Sequence, residues 1–220
     1  EGQYNNTWGA FTLIGGAQFQ RDMAFTKNTY MLDFDGPINV NQVGVYAQTE
    51  YKVNGWGFLA ALRVDNHDYY GTNLLPKAAI TKKLGDGTFR LTYGKGMAVP
   101  SLLNLEGYLF GGLVLGNGVG FTLSDGSKIK PLEVETINSF EVGYKGDIAK
   151  KFYIDVNAYY NLSENFIGPL TQIATGGKTV THRGDQALST IPGGNPAYVL
   201  TYSNFGKVDT YGVDLGFSYY

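Results

Sequence analysis

The sequence predicts an all-β fold, an antiparallel transmembrane β-barrel, and three observations predict it. Segments of strand length alternate between an apolar and a polar face, as a wall between lipid and water requires. Tight turns alternate along the chain with long loops, the asymmetry of a barrel with short periplasmic turns and long extracellular loops. Aromatic residues and glycine are abundant while charge is scarce: Tyr 17, Phe 13 and Gly 31, against 16% charged residues in 220. Tyr and Trp favour a membrane interface because one end is apolar and the other wet.

Each element follows in order. Thr7 to Gln20 reads as a weakly patterned strand, with Trp8, Ala10, Thr12 and Ile14 opposing Gly9, Phe11, Leu13 and Gly15. A polar loop spans Arg21 to Gln42. Val43 to Val53 is a strand with Val43, Val45, Ala47, Thr49, Tyr51 and Val53 on one face and Gly44, Tyr46, Gln48, Glu50 and Lys52 on the other. Asn54-Gly55 is a two-residue hairpin turn of the kind that needs positive φ. Trp56 to Asp65 returns, with Arg63 and Asp65 on its polar side. Asn66 to Leu74 reads as a loop of moderate length. Leu75 to Lys83 and Thr88 to Lys95 are strands joined by the turn Leu84-Gly85-Asp86-Gly87. Met97 to Glu135 is a long, glycine-rich loop. Thr136 to Lys145 and Lys151 to Asn161 form a hairpin with a turn over Gly146 to Lys150. Ile167 to Ala197 is a second long loop, and Tyr198 to Tyr220 closes on a strand. The count is about eight strands, with the apolar faces toward lipid; a one-residue slip at Val43 would turn Glu50 and Lys52 to lipid. Tyr51, Trp56, Phe89, Tyr144, Phe152, Phe217 and Tyr219 fall at the tight-turn ends as an aromatic girdle.

Composition removes several functions. A net charge of -2 offers no basic stripe for nucleic acid. The absence of cysteine excludes a disulfide framework and a thiolate metal site. No apolar run is long enough for a membrane-crossing helix. Glu1 opens in polar sequence without the basic and apolar regions of a signal peptide, so the expectation is a mature chain or a fragment.

Candidate ligand-binding residues lie in the loops. Asp65, His67 and Asp68, with Tyr69 and Tyr70 beside them, read as a metal or ligand contact or as a solvated loop of turn-favouring residues. LGNGVG at 115–120 lacks the dinucleotide fingerprint and its βαβ context, and reads as a flexible loop. The apolar stretch around it packs on neighbouring loops, folds into the lumen or grips ligand. Tyr108 and Phe110, with Tyr198 at the edge of the second loop, suit stacking on a ring; Glu106, Asp125 and Arg183 suit orienting polar groups. His182, Arg183 and Asp185 suggest a base with a carboxylate, but no motif sets a nucleophile beside them, so no catalytic residue and no enzyme activity are expected. No metal site is expected. Glu50, Lys52, Arg63, Asp65, Lys77, Arg90, Glu141, Lys145 and Asp155 form an inward set of mixed sign, a mutually compensating lumen wall.

Four segments in order carry a family resemblance. GVYAQTEYKV with FLAALRVDNHDYYG looks like paired strands ending in an Arg-x-Asp element, here Arg63 and Asp65. LLPKAAITKKLGDGTFRLTYGKGMAVPSLLNL, SFEVGYKGD with FYIDVNAYYNLSENFI, and NFGKVDTYGVDLGFSYY complete the match. The chain resembles the barrel of TonB-dependent outer-membrane receptors across nearly its whole length. The family's N-terminal plug and TonB-contacting box are not seen here, and its barrel has about 22 strands. The resemblance therefore implies that residues 1–220 are an internal piece of one larger barrel domain in the bacterial outer membrane. It implies energised nutrient uptake, with the lipid bilayer, the plug and TonB as partners, no cofactor, and an unspecified small-molecule, glycan or peptide ligand. The alternative is a complete small barrel acting as an adhesin or membrane anchor.

Overall fold

The computed structural model describes residues 1–148 and 151–219. Among these, nine strands form one curved antiparallel sheet whose spatial order is its chain order. They are β1 (Gly2–Trp8), β2 (Phe11–Ala24), β3 (Ile38–Val53), β4 (Trp56–His67), β5 (Gly71–Leu84), β6 (Gly87–Ala98), β7 (Glu135–Ile148), β8 (Phe152–Ile167) and β9 (Asn204–Tyr219). β1 and β9 do not pair with each other, so the wall is an open arc. Up-and-down connectivity follows from the alternating sequence: each two-residue turn returns the chain antiparallel, with its apolar face on the same side.

The faces fall as the alternation requires. Tyr51 pairs with Phe58, Val45 with Val64 and Ala47 with Leu62, all on the convex side. Val45 is 51% and Leu215 77% exposed, apolar surface that water would not tolerate and lipid covers. At the tight-turn end Phe152 lies 5.6 Å from Phe217 and 5.1 Å from Tyr219, Trp8 stacks on Phe11, and Lys82 sits 4.5 Å over the Trp56 ring. Asn54 and Gly55 adopt φ of 48° and 75°, the left-handed pair that a two-residue hairpin turn demands.

The structure corrects four boundaries. There are nine wall strands rather than about eight, because the first predicted strand contains a hairpin: Trp8 pairs with Phe11 across Gly9 and Ala10. That turn resets the alternation, so Phe11 and Leu13 share the outer face with Tyr51 and Thr49, while Thr12 and Ile14 turn inward with Glu50 and Gln48. The loop expected over Asn66 to Leu74 shrinks to residues 68–70, because β4 and β5 stay paired to His67 and Gly71. Asn66 and His67 are therefore strand residues that continue β4 beyond Asp65. The polar loop after Gln20 shortens to 25–37, because β2 and β3 run on past the apolar band, and the last long loop extends to 168–203, because β9 begins at Asn204 and not at Tyr198. The turn expected over 146–150 includes 149–150, outside the described residues, as is Tyr220.

One ladder is incomplete. β5 pairs with β6 from Leu84 and Gly87 up to Lys77 and Gly94, and no further. The next pair would need Pro76, which has no N–H to donate. Above it β5 stays with β4 and β6 stays with β7.

Candidate ligand-binding cap

At the end opposite the tight turns, the long loops do not hang separately. Residues 99–134 and 168–203 fold together into a cap. Phe121–Leu123 from the first pairs with Val180–Arg183 from the second. Leu200 from the second lies parallel to Val114 from the first. Tyr108, Leu115, Phe121 and Leu123 pack with Ile173, Ala174, Val180, Leu188, Ile191 and Val199 in one shared core. Leu32 and Phe34 from the 25–37 loop pack against it, Phe34 edge-on to Tyr108 at 5.3 Å. Apolar runs such as Leu113-Val114-Leu115 are thus buried by the partner loop, not by the wall.

A short helix, α1 (Leu102–Glu106), delivers Glu106 to the centre. Ser101 caps it: its hydroxyl accepts from the Asn104 N–H at 3.2 Å while the Asn104 side chain accepts from the Ser101 N–H. Arg183 donates to Glu106 Oε2 at 2.7 Å, to the Leu105 carbonyl at 2.6 Å and to the Gly116 carbonyl at 2.8 Å. Tyr69, at the tip of the β4–β5 turn, donates to Glu106 Oε1 at 2.8 Å. A Cβ on Gly116 would lie 2.5 Å from the Gly107 nitrogen and the Leu105 carbonyl carbon, so this approach requires glycine. Burial, followed by the Glu106 charge and hydrogen bond, pushes the Tyr69 phenol well above the usual range, and burial does the same to Tyr70. The buried Tyr70 hydroxyl has no hydrogen-bond partner among the described residues; its ring lies 5.1 Å from His67.

The candidate residues thus divide. Glu106, Arg183 and Tyr69 come together as a buried brace, with Tyr108 beside it in the core, donating to the Pro192 carbonyl at 2.9 Å. Phe110 and Tyr198 remain on the surface, 81% and 40% exposed. Phe110 adopts φ 51°, and Gly111 and Gly112 follow at 63° and 93°, so an aromatic ring is held outward on left-handed backbone. Asp125 is at a loop tip, where the Lys178 ammonium at 2.8 Å and then Ser127 hold its carboxyl well below the usual range. Asp65 and His67 are buried at the top of β4. Arg63 holds Asp65 through two bonds of 2.6 and 2.7 Å, and His67 Nδ1 accepts from the Tyr69 N–H at 3.2 Å. Asp68 accepts from the Asn41 N–H at 2.7 Å.

The inward charges of the wall partly compensate each other: Lys52 pairs with Glu50 at 3.4 Å and Arg90 with Glu141 at 3.5 Å. A concavity of ≈ 580 Å³ lies along this inner face among Glu50, Lys77, Arg90 and Glu141, and is the curvature of the arc, not a pocket between the loops. Sequence reading missed the root of the cap. Asn204 donates to the Glu133 and Asn165 carbonyls at 3.1 and 2.6 Å, and accepts from the Glu133 N–H at 2.7 Å. Its only sequence signal is the asparagine of the NFG motif.

Comparison with known proteins gives a family and a fold. The family model described as "TonB dependent receptor-like, beta-barrel" matches residues 1–220. No curated protein sequence matches. Similar solved structures include the siderophore receptor PirA from Pseudomonas aeruginosa, 14% identical over 97% of this chain and 35% of that one, with a TM-score of 0.66. A mutant of the ferric enterobactin receptor PfeA from Pseudomonas aeruginosa, in complex with enterobactin, is 16% identical over 97% and 32%, at 0.66. The FrpB iron transporter from Neisseria meningitidis is 12% identical over 99% and 32%, at 0.63. The chain spans about a third of the length of these structures.

Proposed function

Because the chain belongs to the TonB-dependent receptor-like β-barrel family, we propose that it supplies part of the wall and ligand-gathering outer surface of an outer-membrane receptor for energised uptake of a ferric chelate. The observation that carries this reading is the cap: a folded, two-loop structure opposite the tight turns that presents Phe110 and Tyr198 to the exterior. The ligand class rests on siderophore and iron receptors among the similar structures. The nine strands support membership in a larger barrel. Bacterial single-chain barrels have even strand numbers, and the free edges of β1 and β9 expose backbone groups that lipid cannot satisfy. Further strands, a plug in the lumen and TonB below it belong to this reading, and the inward charges of β3 to β8 would line the plug's chamber. The receptor binds and moves its ligand without chemistry on it.

The test uses the full-length receptor in cells supplied with iron-labelled ferric enterobactin as the probe. Uptake that stops when the proton gradient is collapsed, and that weakens in Tyr198→Ala with barrel assembly intact, supports the reading. Uptake indifferent to the gradient overturns it. Deleting one loop is a poor test, because each loop completes the other's core.

A further inference from the structure

We propose that the two long loops and the tip of the β4–β5 turn form one rigid lid, keyed by Arg183, and open as a unit instead of as independent gates. Three observations converge. Each of the two small sheets contains strands from both loops: Lys128–Ile129, Phe121–Leu123, Val180–Arg183 and Gln186–Ala187 in one, and Thr171–Gln172, Leu200–Thr201, Val114–Leu115 and Tyr108–Leu109 in the other. Neither loop has a core of its own, since the buried apolar residues come from both. The guanidinium of Arg183, 6% exposed, spans the seam: it belongs to the second loop, yet all its partners, Glu106, Leu105 and Gly116, belong to the first.

Burial sets the strength of this key. Withdrawing Arg183 would leave Glu106 as an uncompensated buried charge and the buried Gly116 carbonyl without its donor, while the Leu105 carbonyl would keep only the Gly118 N–H. The loops therefore gain stability from each other that neither holds alone, and separating them costs more than moving them together. Tyr69 extends the body to the β4–β5 turn through the same carboxylate. On the β6 side the turn is unpaired, because the β5 ladder stops below Pro76, while on the β3 side Asp68 and Asn41 tether it. At the base, Asn204 ties the end of the second loop to Glu133 in the first and to Asn165 at the top of β8, so the lid has a common root. This inference concerns the mechanics of the loops and stands whatever ligand the receptor takes.

Hydrogen exchange of the full-length protein in detergent micelles tests it. In Arg183→Met, amides at 113–124 and at 178–190 should lose protection together, each on the order of a hundredfold, while the β8–β9 ladder keeps its protection. A second variant needs no loss of Arg183. The chain has no cysteine, and Thr122 and His182 are cross-strand partners at a spacing a disulfide spans. Thr122→Cys/His182→Cys, oxidised, should retain full protection in both loops and restore both in the Arg183→Met background. Loosening of 178–190 alone in Arg183→Met, or rescue of only one loop by the disulfide, would overturn the proposal.

Discussion

Phe110→Gly separates a displayed residue from a packed one. Phe110 sits at φ 51° with 81% of its surface exposed. A non-glycine residue in the left-handed region costs about 1–2 kcal/mol, which glycine would recover. The ring buries a fifth of its area or less, so against about 1.5–3 kcal/mol for full burial its removal loses about 0.3–0.6 kcal/mol. Glycine adds back about 0.5–1 kcal/mol of unfolded-state entropy. The sum lies within about 1 kcal/mol of zero, whereas truncating a packed Phe costs about 3–5 kcal/mol. Hydrogen exchange across 108–116 in the full-length receptor reads the local stability, and titration with ferric enterobactin reads the affinity. Protection should stay within about fivefold of the parent while affinity falls about threefold to tenfold, the worth of one aromatic contact. A loss of protection above about thirtyfold would mean that Phe110 packs in the cap and would refute the strain argument. Unchanged affinity with intact protection would remove Phe110 from the ligand surface.

Other consequences are direct. Spin labels at Val45 and Ile154 in the intact receptor should be accessible to oxygen dissolved in lipid, and labels at Gln48 and Asp155 to a polar relaxant; the reverse at both pairs would invert the register of the wall. Tyr69 and Tyr70, with phenols raised by burial, should stay protonated in the folded protein after the exposed tyrosines ionise near pH 10. The unfolded chain releases those protons first, so their contribution is complete below about pH 10 and declines as pH rises above it. Exchange in the cap should quicken over that window and less so in Tyr69→Phe, and equal pH dependence in the two proteins would count against the Tyr69–Glu106 contact.

The wall was legible because a strand repeats every two residues, and each lipid-facing position must be apolar by itself. Lys151 to Asn161 could be read alone for that reason, and so could the inward placement of Arg63 and Asp65. The hairpin at Trp8 to Phe11 was hidden because alternation runs through a two-residue turn without a visible break, and Gly9-Ala10 lacks the Asn-Gly signature present at residue 54. Asn66 to Leu74 misled in the opposite direction: turn-favouring residues there stay in β4 and β5, with His67 satisfied by the Tyr69 N–H, and only residues 68–70 turn, where Asp68 accepts from Asn41. Packing of the apolar stretch near 115–120 on a neighbouring loop was legible from its composition, but not which loop covers it or how. The strands of the cap are two to four residues long, too short for a period, and Arg183 meets Glu106 across 77 positions of chain. Glu106 and Arg183 stand out in the sequence as charged loop residues; only tertiary structure makes them partners in a buried brace.

The shared core of the cap sets the unit in which its surface can be remodelled over generations. A loop grafted from a relative at 99–134 would meet a foreign partner at 168–203, with Phe121 and Leu123 facing side chains not shaped for them. Exchange of either segment alone exposes half an interior. The smallest transferable block is then residues 99–203, the two loops with β7 and β8 between them, and it must still suit Leu32, Phe34 and Tyr69 of the recipient. New specificities could spread among such proteins by recombination at β6 and β9, while point changes accumulate at outward positions such as Phe110, 81% exposed.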